Sequence, residues 1–97
     1  MAQVVYSARS LVALEDLVRL LRDTNAAAAP SAVTAIQAAA NHLASSPLAG
    51  RRVAGELREL VISYGETGSV ALYRFLVARD EVRILAIRRQ RALGILP

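Results

Sequence analysis

The hydrophobic pattern of this chain changes period near Gly55, and no other feature constrains the fold as tightly. Before that point apolar residues recur at helical spacing, in one stripe of Leu11, Leu14, Val18 and Leu21 and a second of Val33, Ile36, Ala40 and Leu43. After it come three runs rich in β-branched and aromatic residues, 57–64, 69–77 and 82–87, joined by short connections. Strands joined so closely pair antiparallel, and the apolar face they form needs a covering layer. The expected architecture is α+β in the order β-α-α-β-β-β, a helical hairpin packed on a small, mostly antiparallel sheet.

Local signals refine this plan. A β-prone run at 3–6 precedes Ser7, which is placed to cap a helix ending near Asp23. The alanines at 26–29 stand before Pro30, which disfavours helix in the residue ahead of it, so they read as a connector or a frayed extension. Pro30-Ser31 opens the second helix and Ser45-Ser46-Pro47 closes it. Residues 47–55 read as a loop, with Gly50 and Gly55 flanking Arg51-Arg52. Gly65-Glu-Thr-Gly68 and Ala78-Arg-Asp-Glu81 read as turns. In the strand at 69–77, Val70, Leu72 and Leu76 share a face with Arg74, while Ala71, Tyr73, Phe75 and Val77 occupy the other. One face must meet the helices, and the other is left for a partner or for the C-terminal tail with Leu93, Ile95 and Leu96. At 97 residues, one domain spanning 1–97 is expected, with a single core.

Composition narrows the chemistry. The chain has no cysteine and one histidine, His42, beside the second apolar stripe; neither a metal site nor a cofactor is expected. Paired carboxylates at Glu15-Asp16 and Asp80-Glu81 are adjacent in sequence and cannot converge on one substrate atom, so they read as solvated charges. Glu56 and Glu59 read as local surface pairs with Arg58. Gly65-Glu-Thr-Gly68 lacks the length and the Lys-Ser/Thr ending of a phosphate-binding loop. No catalytic residue emerges, and the chemistry is expected to be binding. No window is apolar for long enough to cross a bilayer and the N-terminus lacks the marks of a secretory signal, so a cytoplasmic protein without a membrane partner is expected.

The charges point to the partner. All 12 basic residues are arginines, and the formal net charge is +4. Up to Gly50 three arginines and three acids cancel; from Arg51 onward nine arginines face five acids. This asymmetry suits an anionic partner, whether nucleic acid, a nucleoprotein enzyme or an acidic peptide. Arginine binds bidentately but does not serve as a general base. Arg88, Arg89 and Arg91 crowd one strand end, where their repulsion calls for an anion. Tyr73 reads as a core residue with its hydroxyl bonded at the sheet edge.

The runs Gly55-Glu-Leu-Arg-Glu-Leu-Val-Ile, Gly68-Ser-Val-Ala-Leu-Tyr-Arg and Val82-Arg-Ile-Leu-Ala-Ile-Arg-Arg-Gln-Arg91, preceded by Val5-Tyr-Ser-Ala-Arg-Ser-Leu and Leu14-Glu-Asp-Leu17, resemble the ParE branch of the RelE/ParE toxins. These belong to bacterial toxin-antitoxin modules of the plasmid stabilisation type. The resemblance spans nearly the whole chain, and its C-terminal string is the most specific part. It implies a compact toxin that binds DNA gyrase and stalls it on cleaved DNA, takes no small-molecule substrate, and is neutralised in a hetero-oligomer by a ParD-like antitoxin.

The RelE branch instead cuts mRNA in the ribosomal A site, with basic residues and a C-terminal tyrosine. Here Val70 stands where that branch carries an arginine, lysine is absent, no tyrosine follows Arg91, and only Arg91 fits the set. Arg89 takes the place of the usual ParE-like histidine before Gln-Arg. On this reading Arg88, Arg89 and Arg91, with Arg74 and Arg58, contact the target. Leu14, Leu21, Val70, Leu72 and Leu93 line an antitoxin groove between helices and sheet. The alternatives are a ribosome-dependent endoribonuclease of RelE type and an inactive toxin that retains antitoxin binding.

Overall fold

The computed structural model describes residues 1–64 and 67–90. Its elements are β1 (Gln3–Tyr6), α1 (Ala8–Thr24), α2 (Ala28–Ser45), β2 (Arg51–Ala54), β3 (Leu57–Tyr64), β4 (Thr67–Leu76) and β5 (Glu81–Gln90). The five strands form one sheet in the order β1-β5-β4-β3-β2, with β1 parallel to β5 and every other pair antiparallel. This is the expected α+β arrangement with one strand more.

Local chemistry sets the element ends. Ser7 accepts the Ser10 amide at 3.0 Å and so satisfies a free N–H of the first helical turn, while Ser10 Oγ donates back to the Ser7 carbonyl at 2.8 Å. The second helix starts at Ala28, so Pro30 falls in its first turn, where the missing amide costs nothing. Leu17 and Leu21 of α1 and Ile36 and Leu43 of α2 bury against Ile62 of β3, Ala71 and Tyr73 of β4, and Val82, Ile84 and Ile87 of β5. A short 3₁₀ turn at Val77–Arg79 joins β4 to β5, closed by Asp80 in the left-handed conformation at φ 49.

Two expectations are corrected. The segment 47–55 is not all loop: Arg51 to Ala54 pair with β3 as the edge strand β2. Distant residues hold it there. Tyr73, fully buried, accepts the Gly50 amide on its hydroxyl at 2.7 Å and donates to the Pro47 carbonyl at 2.9 Å. Arg58 Nη1 donates to the carbonyls of Gly50 at 2.8 Å and Leu48 at 3.3 Å. The last strand also runs beyond residue 87, since pairing continues through Val70↔Arg88, Ser69↔Arg89 and Gly68↔Gln90. Arg88 and Arg89 are therefore strand residues.

The register of β4 against β5 slips at Leu72/Tyr73, where Leu72 faces Ala86 and Tyr73 faces Ile84. Leu85 is the extra residue of this bulge. Its carbonyl accepts a hydrogen bond from Ser7 Oγ at 3.1 Å, and the Ser7 amide donates to the Ile84 carbonyl at 2.9 Å. One serine thus caps α1 and ties it to the irregular point of the sheet.

Candidate functional site: the arginines on two faces of the sheet

Strand alternation sends the arginines to both sides of the sheet. On the side away from the helices, pairing places Arg74 opposite Arg83, Val70 opposite Arg88, and Arg51 opposite Glu59. Arg51 donates to Glu59 Oε1, and Arg88 forms a longer ion pair with Glu59 Oε2 at 3.8 Å. The Glu59 side chain is only 13% exposed, whereas those of Arg51 and Arg88 are 72% and 64% exposed. One shielded carboxylate is thus shared by two guanidiniums that face solvent. Alongside, Arg83 Nε donates to Glu81 Oε2 at 2.8 Å, and its Nη2 lies 2.7 Å from the same oxygen as an ion pair. Arg74 is exposed and forms no ion pair with any described residue.

Between these charges lie Val61, half exposed, Leu72, partly buried, and Val70, buried although it stands outside the main core cluster. The face is therefore an apolar floor flanked by arginines. Four guanidiniums against two carboxylates leave it cationic, suited to an acidic protein surface or to phosphates.

The sequence-derived site separates into parts. Arg88 and Arg74 lie on this outer face. Arg89 pairs across from Ser69 and therefore projects to the helix side, so the Arg88-Arg89 pair does not act as one patch. Arg58 also belongs to the helix side and is engaged with carbonyls of the β2 entry loop. The expected local pairs of Arg58 with Glu56 and Glu59 do not form, because Glu59 points to the opposite face. Arg91 lies outside the described residues.

The expected groove likewise does not converge. Leu21 is 5% exposed inside the core and Leu14 packs beside it, whereas Val70 and Leu72 occupy the far side of the sheet. A β-sheet stands between the two pairs. Leu93 lies outside the described residues. Glu81, expected to be solvated, is buried at 8% exposure and paired with Arg83. Glu59 and Arg51, the shared carboxylate and one of its partners, were missed as a site because their pairing depends on β2, which sequence spacing does not reveal.

Among the described residues no cluster of three or more His, Cys, Asp or Glu side chains could hold a metal ion, and His42 is exposed. No helix in that set is long and apolar enough to cross a membrane.

Among solved structures, the fold is similar to a chain of the intact E. coli RelBE toxin-antitoxin complex, with a TM-score of 0.62 over 91% of this chain and 95% of that one. At 11% identity this likeness is one of fold. No curated protein matches in sequence. The family described as ParE toxin of type II toxin-antitoxin system, parDE, matches residues 4–94, nearly the full length over which the sheet and its helical cover are built, and the chain belongs to that family.

Proposed function

We propose that the chain arrests growth in the cytoplasm by binding DNA gyrase, catalyses no reaction of its own, and is neutralised by a ParD-like antitoxin. Family membership supplies the module type. The observation that carries the binding reading is the outer face, where Arg51 and Arg88 share Glu59 beside Val61, Val70 and Leu72. Sharing one shielded carboxylate draws the two guanidiniums together over the sheet and leaves N–H groups on both for an anionic surface. Arg74 adds a third exposed cation on the same face.

The experiment replaces Arg74 and Arg88 together with alanine. Both are exposed, so the fold should be retained, as circular dichroism can check. Induction of the original chain should arrest growth, and in a supercoiling reaction with purified gyrase it should accumulate cleaved DNA; the double variant should do neither. Full growth arrest by a folded double variant would remove this face from the target contact. The fold shared with the RelBE chain keeps mRNA cleavage as the competing reading. Codon-phased cuts seen by primer extension after induction, without gyrase-linked DNA breaks, would select it.

A further inference from the structure

The sheet carries a second arginine pair, on the helix side and away from the face just described. Arg52 of β2 and Arg58 of β3 are directly opposed in register. Like charges facing each other across two strands destabilise the pair unless something anionic lies between them. The other opposed pair, Arg74 and Arg83, has Glu81 bound to Arg83. Among the described residues Arg52 and Arg58 have no carboxylate within ion-pair distance. Arg58 uses only Nη1, on the carbonyls of Leu48 and Gly50, and its Nε and Nη2 make no hydrogen bond to described residues.

These two arginines line a pocket of about 240 Å³ together with Leu48, Glu56, Phe75 and Val77. Its apolar part is unusually open: Val77 is 75% exposed and Leu48 60%. The volume falls below the roughly 300–1,000 Å³ of small-molecule sites and suits a single side chain. Glu56 also lines the pocket but pairs with neither arginine, and its negative charge favours a single carboxylate over a polyanion there.

We propose that this pocket docks an acidic-apolar segment of the antitoxin, with one carboxylate bridging Arg52 and Arg58 and a neighbouring apolar side chain on Leu48, Phe75 and Val77. The inference rests on the toxin-antitoxin reading above. It places inhibitor docking on the sheet side opposite the Arg51–Glu59–Arg88 face. Neutralisation then requires that the bulk of the complex exclude the target from the outer face.

The test measures the dissociation constant of the toxin for the full-length antitoxin encoded beside it, by titration calorimetry. Arg52→Glu combined with Val77→Asp should weaken binding by about 30-fold or more, in line with loss of a charge contact and of an apolar anchor. Arg9→Ala, on an exposed position of α1, should leave the constant within about twofold. Both variants change exposed residues, and cooperative thermal unfolding at or above the temperature of the original chain shows that the fold is retained. If the antitoxin binds the original chain and the double variant equally well, the pocket assignment is overturned while the toxin-antitoxin reading stands. If the antitoxin does not bind the original chain at all, that reading itself falls. A 20-nucleotide single-stranded DNA whose binding is lost in Arg52→Glu, with antitoxin affinity intact, would assign the pocket to nucleic acid and overturn the proposal. So would a dimer of the original chain that Val77→Asp abolishes while antitoxin affinity is unchanged.

Discussion

Removing the Tyr73 hydroxyl should reveal how much of the sheet depends on one buried polar contact. In Tyr73→Phe the ring stays, with no cavity, and two hydrogen bonds disappear: the one from the Gly50 amide at 2.7 Å and the one to the Pro47 carbonyl at 2.9 Å. Each bond is worth about 1 kcal/mol net, and the Gly50 amide, on a buried residue, then goes unpaired at a further cost of about 1–3 kcal/mol. Relaxation of the 47–50 loop toward water recovers part of this, so the expected loss is about 2–4 kcal/mol. That is a large share of the roughly 5–15 kcal/mol available to a small domain. At about 4–8 °C per kcal/mol for this size, the melting temperature should drop by about 8–32 °C. Urea unfolding followed by circular dichroism measures the change directly. A loss below about 0.5 kcal/mol would refute the claim that Tyr73 anchors the β2 entry. The same variant should alter the alkaline limb of the stability curve. Burial raises the Tyr73 pKa above its ordinary value of about 10, outweighing the bond from Gly50 and the charge of Arg58. A raised folded pKa contributes stability that is full below the unfolded pKa and is lost as pH rises through the folded one. The original chain should therefore lose stability above about pH 10, and Tyr73→Phe should lose less of it over that window.

Three further outcomes follow from local geometry. Gly50→Ala would place its Cβ 2.6 Å from Tyr73 Cε1 and 2.7 Å from the Glu59 carbonyl, too close to both, and should destabilise by about 1–3 kcal/mol in urea titration. Gly55→Ala would meet no atom but would strain a backbone at φ 55; a loss of about 1 kcal/mol, close to that of a non-glycine residue held left-handed, is expected from the same measurement. Ser7→Ala removes both the cap on the Ser10 amide and the bond to the Leu85 carbonyl, and should cost about 1–2 kcal/mol, with amide exchange accelerated at the start of α1 and beside the bulge.

The parts of the fold that repeat along the chain were readable from the sequence. The alternation of Ala71, Tyr73 and Phe75 places its residues where the core is found, and of the first helical stripe Leu14 and Leu21 meet the core; Leu11 is 48% exposed and Leu17, outside that stripe, is buried in its stead. Ser7 as a cap and Tyr73 as a buried tyrosine with a bonded hydroxyl also follow from local rules. The fifth strand was not readable because four exposed residues at 51–54 carry no apolar period, and their pairing is enforced by Tyr73, about twenty residues downstream. The parallel pairing of Gln3–Tyr6 with β5 is likewise non-local: residues nearly eighty positions apart meet across it. The site suffered from the same limit in another form. Arg88 and Arg89 are neighbours in sequence, and only the pleat of a continuing strand shows that they serve opposite faces.

That alternation bears on how a toxin of this size can meet two partners. Had the strand ended at residue 87, its arginines would have formed a single cationic knob, and target and inhibitor would have had to compete for it. Continued pairing to Gln90 splits the knob. Arg88 joins Arg51 over Glu59 on one face, and Arg89 goes to the other, the side on which Arg52 and Arg58 stand opposed. Two cationic surfaces a sheet's thickness apart can be altered independently. Charge reversal at Arg88 should change toxicity and leave antitoxin affinity within about twofold, whereas charge reversal at Arg52 should do the converse, since sites with no shared partner add nearly independently. A double variant whose losses in the two assays are strongly non-additive would mean that one surface serves both partners.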